Sequence, residues 1–286
     1  MRLTQCALIL FLSCCLNNCG FIKPIYNHAP EAISWWLDDY FDFNQSQIAV
    51  LNPKLRQLHD WHRQNQLPSY IGMLQDIKNS IVQEQISASE VCGTINRIKM
   101  SFNDLQLESI PIIIEIAPLL SNKQLKYFQG KLEKRALKWK SEWLQDSSEE
   151  QIEVRFEKTE DFAEKVYGVL NDSQRALLKQ NLKNTPIRPQ LTYAEILRRN
   201  GDIYQVIRAL QNQTLSQERK SQLIKEGFDR LQNSSNPIYQ AYADQVEQRT
   251  CEIVADLHIS TDAKQKQHAK DWLDDYILQL SGLSVK

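Results

Sequence analysis

Apolar residues recur along this chain at intervals of three and four. Ile48, Leu51, Leu55, Leu58 and His62 form one such stripe, and Val91, Ile95, Ile98, Phe102 and Leu105 a second. Leu125, Phe128, Leu132, Ala136, Trp139 and Trp143 make a third; Ile152, Phe156, Thr159, Ala163, Val166 and Leu170 make a fourth. Later stripes run through Ile203, Val206, Ile207 and Leu210, through Tyr239, Tyr242, Val246, Ile253 and Leu257, and through Ala269, Trp272, Leu273, Tyr276 and Leu280. A 3.6-residue period gathers each set on one face of a helix. No comparable run alternates with period two, so the pattern predicts an all-α, multi-helix bundle.

Polar residues mark where the helices begin. Ser87 with Glu90, Ser121 with Gln124, Asn171 with Gln174 and Thr192 with Glu195 fit the capping box, in which two orphan amides at a helix start are covered reciprocally. Pro53, Pro68 and Pro237 suit first-turn positions, where a missing N–H costs nothing. Residues 121–144 and 148–170 are long and charged on their outer faces, which suggests a protruding antiparallel hairpin turning at Gln145-Asp146-Ser147. Pro186 and Pro189 cannot both continue a helix, so the stretch from Asn184 to Pro189 reads as a linker. The expected organisation is a leader at 1–18, a tether at 19–30 containing Pro24 and Pro30, a helical part at 31–184 and a second at 190–286 packing on it. Trp36-Leu37-Asp38-Asp39-Tyr40 recurs as Trp272-Leu273-Asp274-Asp275-Tyr276. Five residues are too few to establish a repeat.

Composition narrows the class. The chain of 286 residues is 42% hydrophobic and 24% charged, which is globular, and its net charge of -1 offers no general attraction to nucleic acid. Eight glycines are too few for glycine-rich phosphate loops or many tight hairpins. The stretch from Ile110 to Pro118 contains Pro111 and Glu115 and reads as a buried helix rather than a membrane span.

The N-terminus carries a different signal. Arg2 precedes the short apolar run Cys6 to Leu12, as in a secretory leader. Leu16-Asn17-Asn18-Cys19 resembles a bacterial lipobox, with Asn18 where a smaller residue is usual. That resemblance implies cleavage before Cys19, acylation of Cys19 and attachment to a membrane through lipid. Cys14, preceded by Ser13, is the other candidate acceptor, and a plain signal peptide is the alternative. By resemblance to Gram-negative lipoproteins, Gly20 in place of Asp implies the outer membrane, facing the periplasm. In that oxidising compartment Cys92 and Cys251 are a candidate disulfide, with two separate buried thiols as the alternative.

One stretch concentrates chemistry. It contains Asp38, Asp39 and Asp42, then His59, Trp61, His62 and Arg63, then Pro68 and Tyr70. Two imidazoles three residues apart with a carboxylate upstream could hold Zn2+, but no cysteine or third histidine joins them, and no metal is assigned. The favoured reading is a network of Asp39, Asp42, Trp61, His62, Arg63 and Tyr70 between the first helices, with Arg63 paired to Asp39 or Asp42. The leader, Trp35-Trp36-Leu37-Asp38-Asp39-Tyr40, Trp61-His62-Arg63 and Leu67-Pro68-Ser69-Tyr70 together resemble a family of uncharacterised Gram-negative lipoproteins, a domain of unknown function. That resemblance implies a lipid-anchored helical protein and brings no activity or cofactor.

Leu120-Ser121-Asn122-Lys123-Gln124 and Leu170-Asn171-Asp172-Ser173-Gln174 resemble the Leu-Thr-x-x-Gln motif of Spy-like periplasmic chaperones, and Leu215-Ser216 with Arg219 is a looser third copy. The resemblance implies a cradle for unfolded clients, although the motif is also a plain capping box. No G-x-S-x-G, H-E-x-x-H or phosphate-loop motif occurs. The expectation is a binding or envelope-maintenance protein without a cofactor, whose partner is an envelope protein or an unfolded client. A peptidoglycan hydrolase with paired carboxylates is the remote alternative.

Overall fold

In a computed structural model, residues 22–144 and 147–284 are described, and every regular element among them is helical. The leader and Cys19 lie outside the described residues. α1 (Ile22–Asn27) and α2 (Ala29–Phe41) lead into α3 (Gln45–Trp61), a π turn (His62–Gln66) and α4 (Leu67–Ile81). α5 (Ala88–Glu108), α6 (Ile110–Ile116) with a 3-10 turn to Leu119, and α7 (Asn122–Trp143) follow. The rest is α8 (Ser148–Tyr167), α9 (Asp172–Lys183), α10 (Pro189–Ala209), α11 (Gln217–Gln232), α12 (Pro237–Ile259) and α13 (Ala263–Ser284). No described helix is long and apolar enough to cross a membrane.

The pairing of these helices repeats once. α2 lies against α3 and α7 as α8 lies against α9 and α13, and α3 meets α6 as α9 meets α12. The two helices in the middle of each half cross to the other half: α4 and α5 rest on α13 and α12, while α10 and α11 rest on α7 and α6. Side chains keep one register through this correspondence. Tyr40, Gln47, Leu51 and Leu55 match Tyr167, Gln174, Leu178 and Leu182, and all eight are buried. Ile116, Gln124, Phe128 and Leu132 match Leu257, Gln265, Ala269 and Leu273, also buried. The Lys54–Glu115 ion pair between α3 and α6 becomes a hydrogen bond from Asn181 to Asp256 between α9 and α12.

Each half is closed by two capping boxes that clasp one another. Gln47 Nε2 donates to Gln124 Oε1 at 3.1 Å, and Gln124 Nε2 donates to Gln47 Oε1 at 2.7 Å. Each amide also donates across to the carbonyl of Leu119 (2.7 Å) or Asp42 (2.8 Å) and accepts from the N–H of its own cap, Asn44 or Ser121. Gln174 and Gln265 repeat the arrangement at 2.8 and 2.9 Å, with the carbonyls of Ser260 and Val169 as acceptors. Every hydrogen-bonding position of these amides is therefore occupied, as burial requires. Just before the first cap of each clasp the chain turns through a positive φ, at Asp42 (51°) and Gly168 (78°), which lets α2 and α8 end and the next helix start within a few residues.

Several expectations change. The linker at 184–189 is not where the repeat divides, which is between α7 and α8; it carries the chain from α9 in the second half back to α10, which packs on α7 of the first. In place of a protruding hairpin, α7 and α8 meet at their adjoining ends, where Gln151 Nε2 donates to the Trp143 carbonyl at 2.8 Å and Lys158 lies over the Trp143 ring. Their bodies pack elsewhere, α7 on α2 and α10 and α8 on α9 and α13. Residues 22–27 are helical and Tyr26 is buried against Leu67 and Leu283, so an extended tether does not reach residue 30. Pro53 sits inside α3, beyond its first turn, whereas Pro68 and Pro237 do occupy first turns. Thr192 is likewise inside α10, where its hydroxyl donates to the Arg188 carbonyl instead of capping. The Trp-Leu-Asp-Asp-Tyr echo falls on α2 and α13, which hold different places in the repeat; what the two copies share is a tilted Trp–Tyr contact one turn apart.

Cys92 on α5 and Cys251 on α12 form a disulfide, with Cα atoms 5.4 Å apart. It fastens a crossed-over helix of the first half to the body of the second. An ion pair between Lys99 and Glu247 lies on the same helix pair.

Candidate functional sites: a polar corner and an apolar cavity

Pro68 shapes the first site. In an α turn its ring would meet the carbonyl four residues earlier, and the chain widens instead to a π turn, in which the Leu67 N–H reaches His62 O. α3 and α4 thus run on almost continuously, and His62, Arg63 and Gln66 turn inward against α1 and the end of α13. Tyr26 lies at the centre. Its ring is 4.5 Å from His59 and its hydroxyl 2.9 Å from His62 Nδ1, while the Arg63 guanidinium lies 5.2 Å from the ring centroid. Arg63 donates to Asn27 Oδ1 at 2.8 Å and to the Leu283 carbonyl at 3.2 Å. Tyr70 meets His62 edge-on, and the carbonyl of Trp61 accepts from Asn65.

The expected network therefore divides. Trp61, His62, Arg63 and Tyr70 share this corner, but Asp39 is paired with Lys131 at 2.6 Å and the Asp42 carbonyl belongs to the first glutamine clasp. The reason is helix length: α3, 17 residues long, lies between the aspartates at its start and His62 at its end, and at 1.5 Å per residue this is roughly 25 Å. Arg63 instead joins the two ends of the described chain. The same separation keeps the aspartates from His59 and His62, and among the described residues no group of three or more His, Cys, Asp or Glu side chains is placed to hold a metal. Three buried atoms of the corner, His59 Nε2, Arg63 Nε and Gln66 Oε1, have no hydrogen-bond partner.

Burial, with His59 beside it, pushes the pKa of His62 down from 6.5 to about 4, and burial pushes that of Tyr26 up to about 12. His62 is thus neutral in the folded protein at neutral pH and accepts or donates one hydrogen bond with Tyr26. In the unfolded chain it protonates below pH 6.5, so the unfolded state binds more protons and gains on the native one as acid is added. Stability present above pH 6.5 falls toward pH 4, by about 3 kcal/mol at most. His62→Asn removes the titration, and its urea midpoint should change less between pH 7 and pH 4.5 than that of the parent. Parallel midpoints across that range would show that His62 does not govern the acid limb.

The second site gave no sequence signal. Between α2, α3, α6, α10 and α11 lies a cavity of about 180 Å3. Its walls include Phe41, Leu51, Ile113, Ala117, Val206 and Phe228, and its one charged lining residue is Asp202. α10 and α11 approach closely behind it because Gly227 has no Cβ; one placed there would stand 2.9 Å from Val206 Cγ2. The corresponding place in the other half is filled. His258 stands where the first half has Ala117, fully buried, with Tyr167 Oη 3.1 Å from Nδ1 and the Gln83 carbonyl 3.1 Å from Nε2. Burial lowers its pKa, so it fills that space as the neutral imidazole.

Beside the cavity runs a charged group on α10 and α11. Glu195, 3% exposed, accepts from Arg198 at 2.7 Å, Arg199 at 2.8 Å and the Ser234 hydroxyl at 2.8 Å. Burial alone would raise its pKa, but these partners outweigh it and hold the carboxylate below the usual range. Arg198 also pairs with Asp202, and Arg230 approaches Asp202 at 3.5 Å.

Together these features define a twofold-repeated helical bundle with an apolar chamber in its first half and a polar corner at which Arg63 joins α1 to α13. Residues 39–227 match the model of a family of unknown function (DUF6279), and the chain belongs to that family. The match takes in His62, Arg63 and the cavity lining except Leu37, Phe228 and Leu231, and stops short of α12 and α13. No curated protein matches the chain, and no solved structure does.

The chaperone-like motifs also find a place. Gln124 and Gln174 are 7% and 1% exposed and are engaged in the clasps, so these side chains do not face outward toward a client. Ser216 caps the Arg219 N–H without any glutamine to clasp.

Proposed function

We propose that this protein is a lipid-anchored binding protein of the bacterial envelope, attached through Cys19 and holding a small apolar molecule in the cavity between α2, α3, α6, α10 and α11. It is a receptor or carrier rather than an enzyme. The observation that carries the binding reading is the apolar chamber. Protein interiors are packed to crystal density with few voids larger than a water molecule, and a dry cavity of ~150 Å3 takes up benzene. A larger void, retained in one half while its counterpart is plugged by His258, is a place for a ligand. The anchor rests on the leader and its lipobox-like cysteine.

Ala117→Leu tests the chamber. The scaffold already accepts a large side chain at the matching position, so leucine should enter the void and raise the unfolding free energy by about 1–2 kcal/mol. The probe is 1-hexanol, which should raise the melting temperature of the parent and leave the variant unmoved. Equal shifts in both proteins, or none in either, would remove the chamber as a binding site. Labelled palmitate should enter the parent protein in cells and not the Cys19→Ser variant.

A further inference from the structure

α7 carries seven basic residues and two acidic ones, a net charge of +5 in a chain whose total is -1. α13, which holds the same place in the other half, has three lysines and three aspartates. In the register set by the two clasps, Lys126 and Lys134 stand where α13 has Gln267 and Asp275. Packing does not require this charge. Like charges three or four residues apart, as in Lys131 with Lys134 and Lys134 with Lys138, weaken a helix, and so does a cation in the first turn, Lys123. Lys123, Lys126 and Lys134 are exposed, and among the described residues none of them has an ion pair or a hydrogen bond.

Large apolar side chains share this surface. Leu137 on α7 is 58% exposed, and on α2 Trp35 and Trp36 are 75% and 50% exposed. Trp36 and Arg135 both lie against the Tyr40 ring, 4.9 and 5.5 Å from its centroid, and Asp39 pairs with Lys131. The indoles and the lysines therefore belong to one face. Of the three acidic residues on α2, Asp39 is paired, Asp38 accepts from the Phe43 N–H, and Glu31 is exposed.

We propose that this face docks on the anionic phospholipid surface of the membrane that carries the anchor. The inference rests on acylation of Cys19. α1 begins at Ile22, so at most about 10 Å of extended chain separates it from that residue. Trp35 lies further along α1 and α2, about 20 Å by helical rise. Acylation thus keeps the indoles within about 30 Å of the headgroups. Tryptophan favours the boundary between hydrocarbon and headgroups, and lysines beside it are drawn to anionic lipid. Because the anchor supplies a high local concentration, weak adhesion is enough to hold the face down. Docking sets the first half of the repeat, rather than the second, against the membrane.

The test is quenching of tryptophan fluorescence by brominated phosphatidylcholine in vesicles that contain an equal amount of phosphatidylglycerol. The acylated protein reconstituted there should be quenched, and Trp35→Phe/Trp36→Phe should remove most of the effect. Lys123→Gln/Lys126→Gln/Lys134→Gln, at exposed positions, should lose it too, as should the parent in vesicles of phosphatidylcholine alone. The full chain carrying Cys19→Ser, added to preformed vesicles, reads the face without the anchor. It should bind the anionic vesicles about tenfold or more tightly than the neutral ones, since each lysine at an anionic surface adds about fivefold, and the lysine variant should lose that preference. Equal quenching of the parent and the tryptophan variant, or equal binding to both kinds of vesicle, overturns the docking face. An acylated protein that stays unquenched keeps the anchor and loses the face; if it also sediments as a dimer that the tryptophan variant does not form, the face belongs to a second copy. A protein that takes up no palmitate, yet as Cys19→Ser prefers anionic vesicles, loses the anchor and keeps the face.

Discussion

Loss of the Cys92–Cys251 bridge is expected to lower the unfolding free energy by about 5 kcal/mol. The two cysteines are 159 residues apart, and in the chain-entropy model a loop of that size releases roughly this much on opening. Cys251 is fully buried, so a serine in its place adds the cost of a hydroxyl in an apolar setting. The clean comparison is the Cys92→Ser/Cys251→Ser double variant against the parent in urea, with reduced parent protein as a second reference. Both should unfold at a lower midpoint than the oxidised parent, and the variant's helical spectrum should be retained. Because the bridge joins α5 to α12, the crossed-over pair α4–α5 should exchange its amide protons faster once it is gone. Coincident midpoints for variant and oxidised parent would mean that the bond contributes nothing to the native protein.

The second large effect belongs to the glutamine clasps. Gln174→Leu removes one amide but strands several groups: Gln265 loses a donor and an acceptor, and the Ser260 carbonyl and Asn171 N–H each lose a bond. Unsatisfied buried polar groups cost about 1–3 kcal/mol each, less where water can reach them, so the substitution should cost about 3–5 kcal/mol. The diagnostic is the double variant Gln174→Leu/Gln265→Leu. Once one amide is gone the other has little left to lose, and the two effects should fall short of additivity by about 1–2 kcal/mol. Strict additivity would show that the two glutamines act as separate helix caps. The corresponding pair, Gln47 and Gln124, should behave in the same way.

What could be read from the sequence was what is local. Helical periodicity identified the fold class, and the Ser87, Ser121 and Asn171 caps lie at the helix starts the spacing implied. The caps at Asn44, Ser147 and Asp262 have equally regular spacing and escaped notice among neighbouring polar residues. Pairing was not legible, because a capping glutamine looks the same whether its second N–H meets water or a glutamine 77 residues away. Asp39 and His62 are close in the chain and rich in chemistry, yet a helix between two residues is a rigid spacer, and it set them at opposite ends. The repeat was hidden because its two copies share positions more than identities, Phe128 against Ala269 and Lys54 against Asn181. The cavity left no trace at all, since a void is defined by side chains that fail to meet.

One consequence of the clasps concerns conditions rather than strength. The four joints that close the two halves are neutral carboxamides, with no proton to gain or lose and no charge for ions to screen. Salt that loosens surface pairs such as Arg97–Asp76 therefore leaves the glutamine clasps, and the register they set, in place.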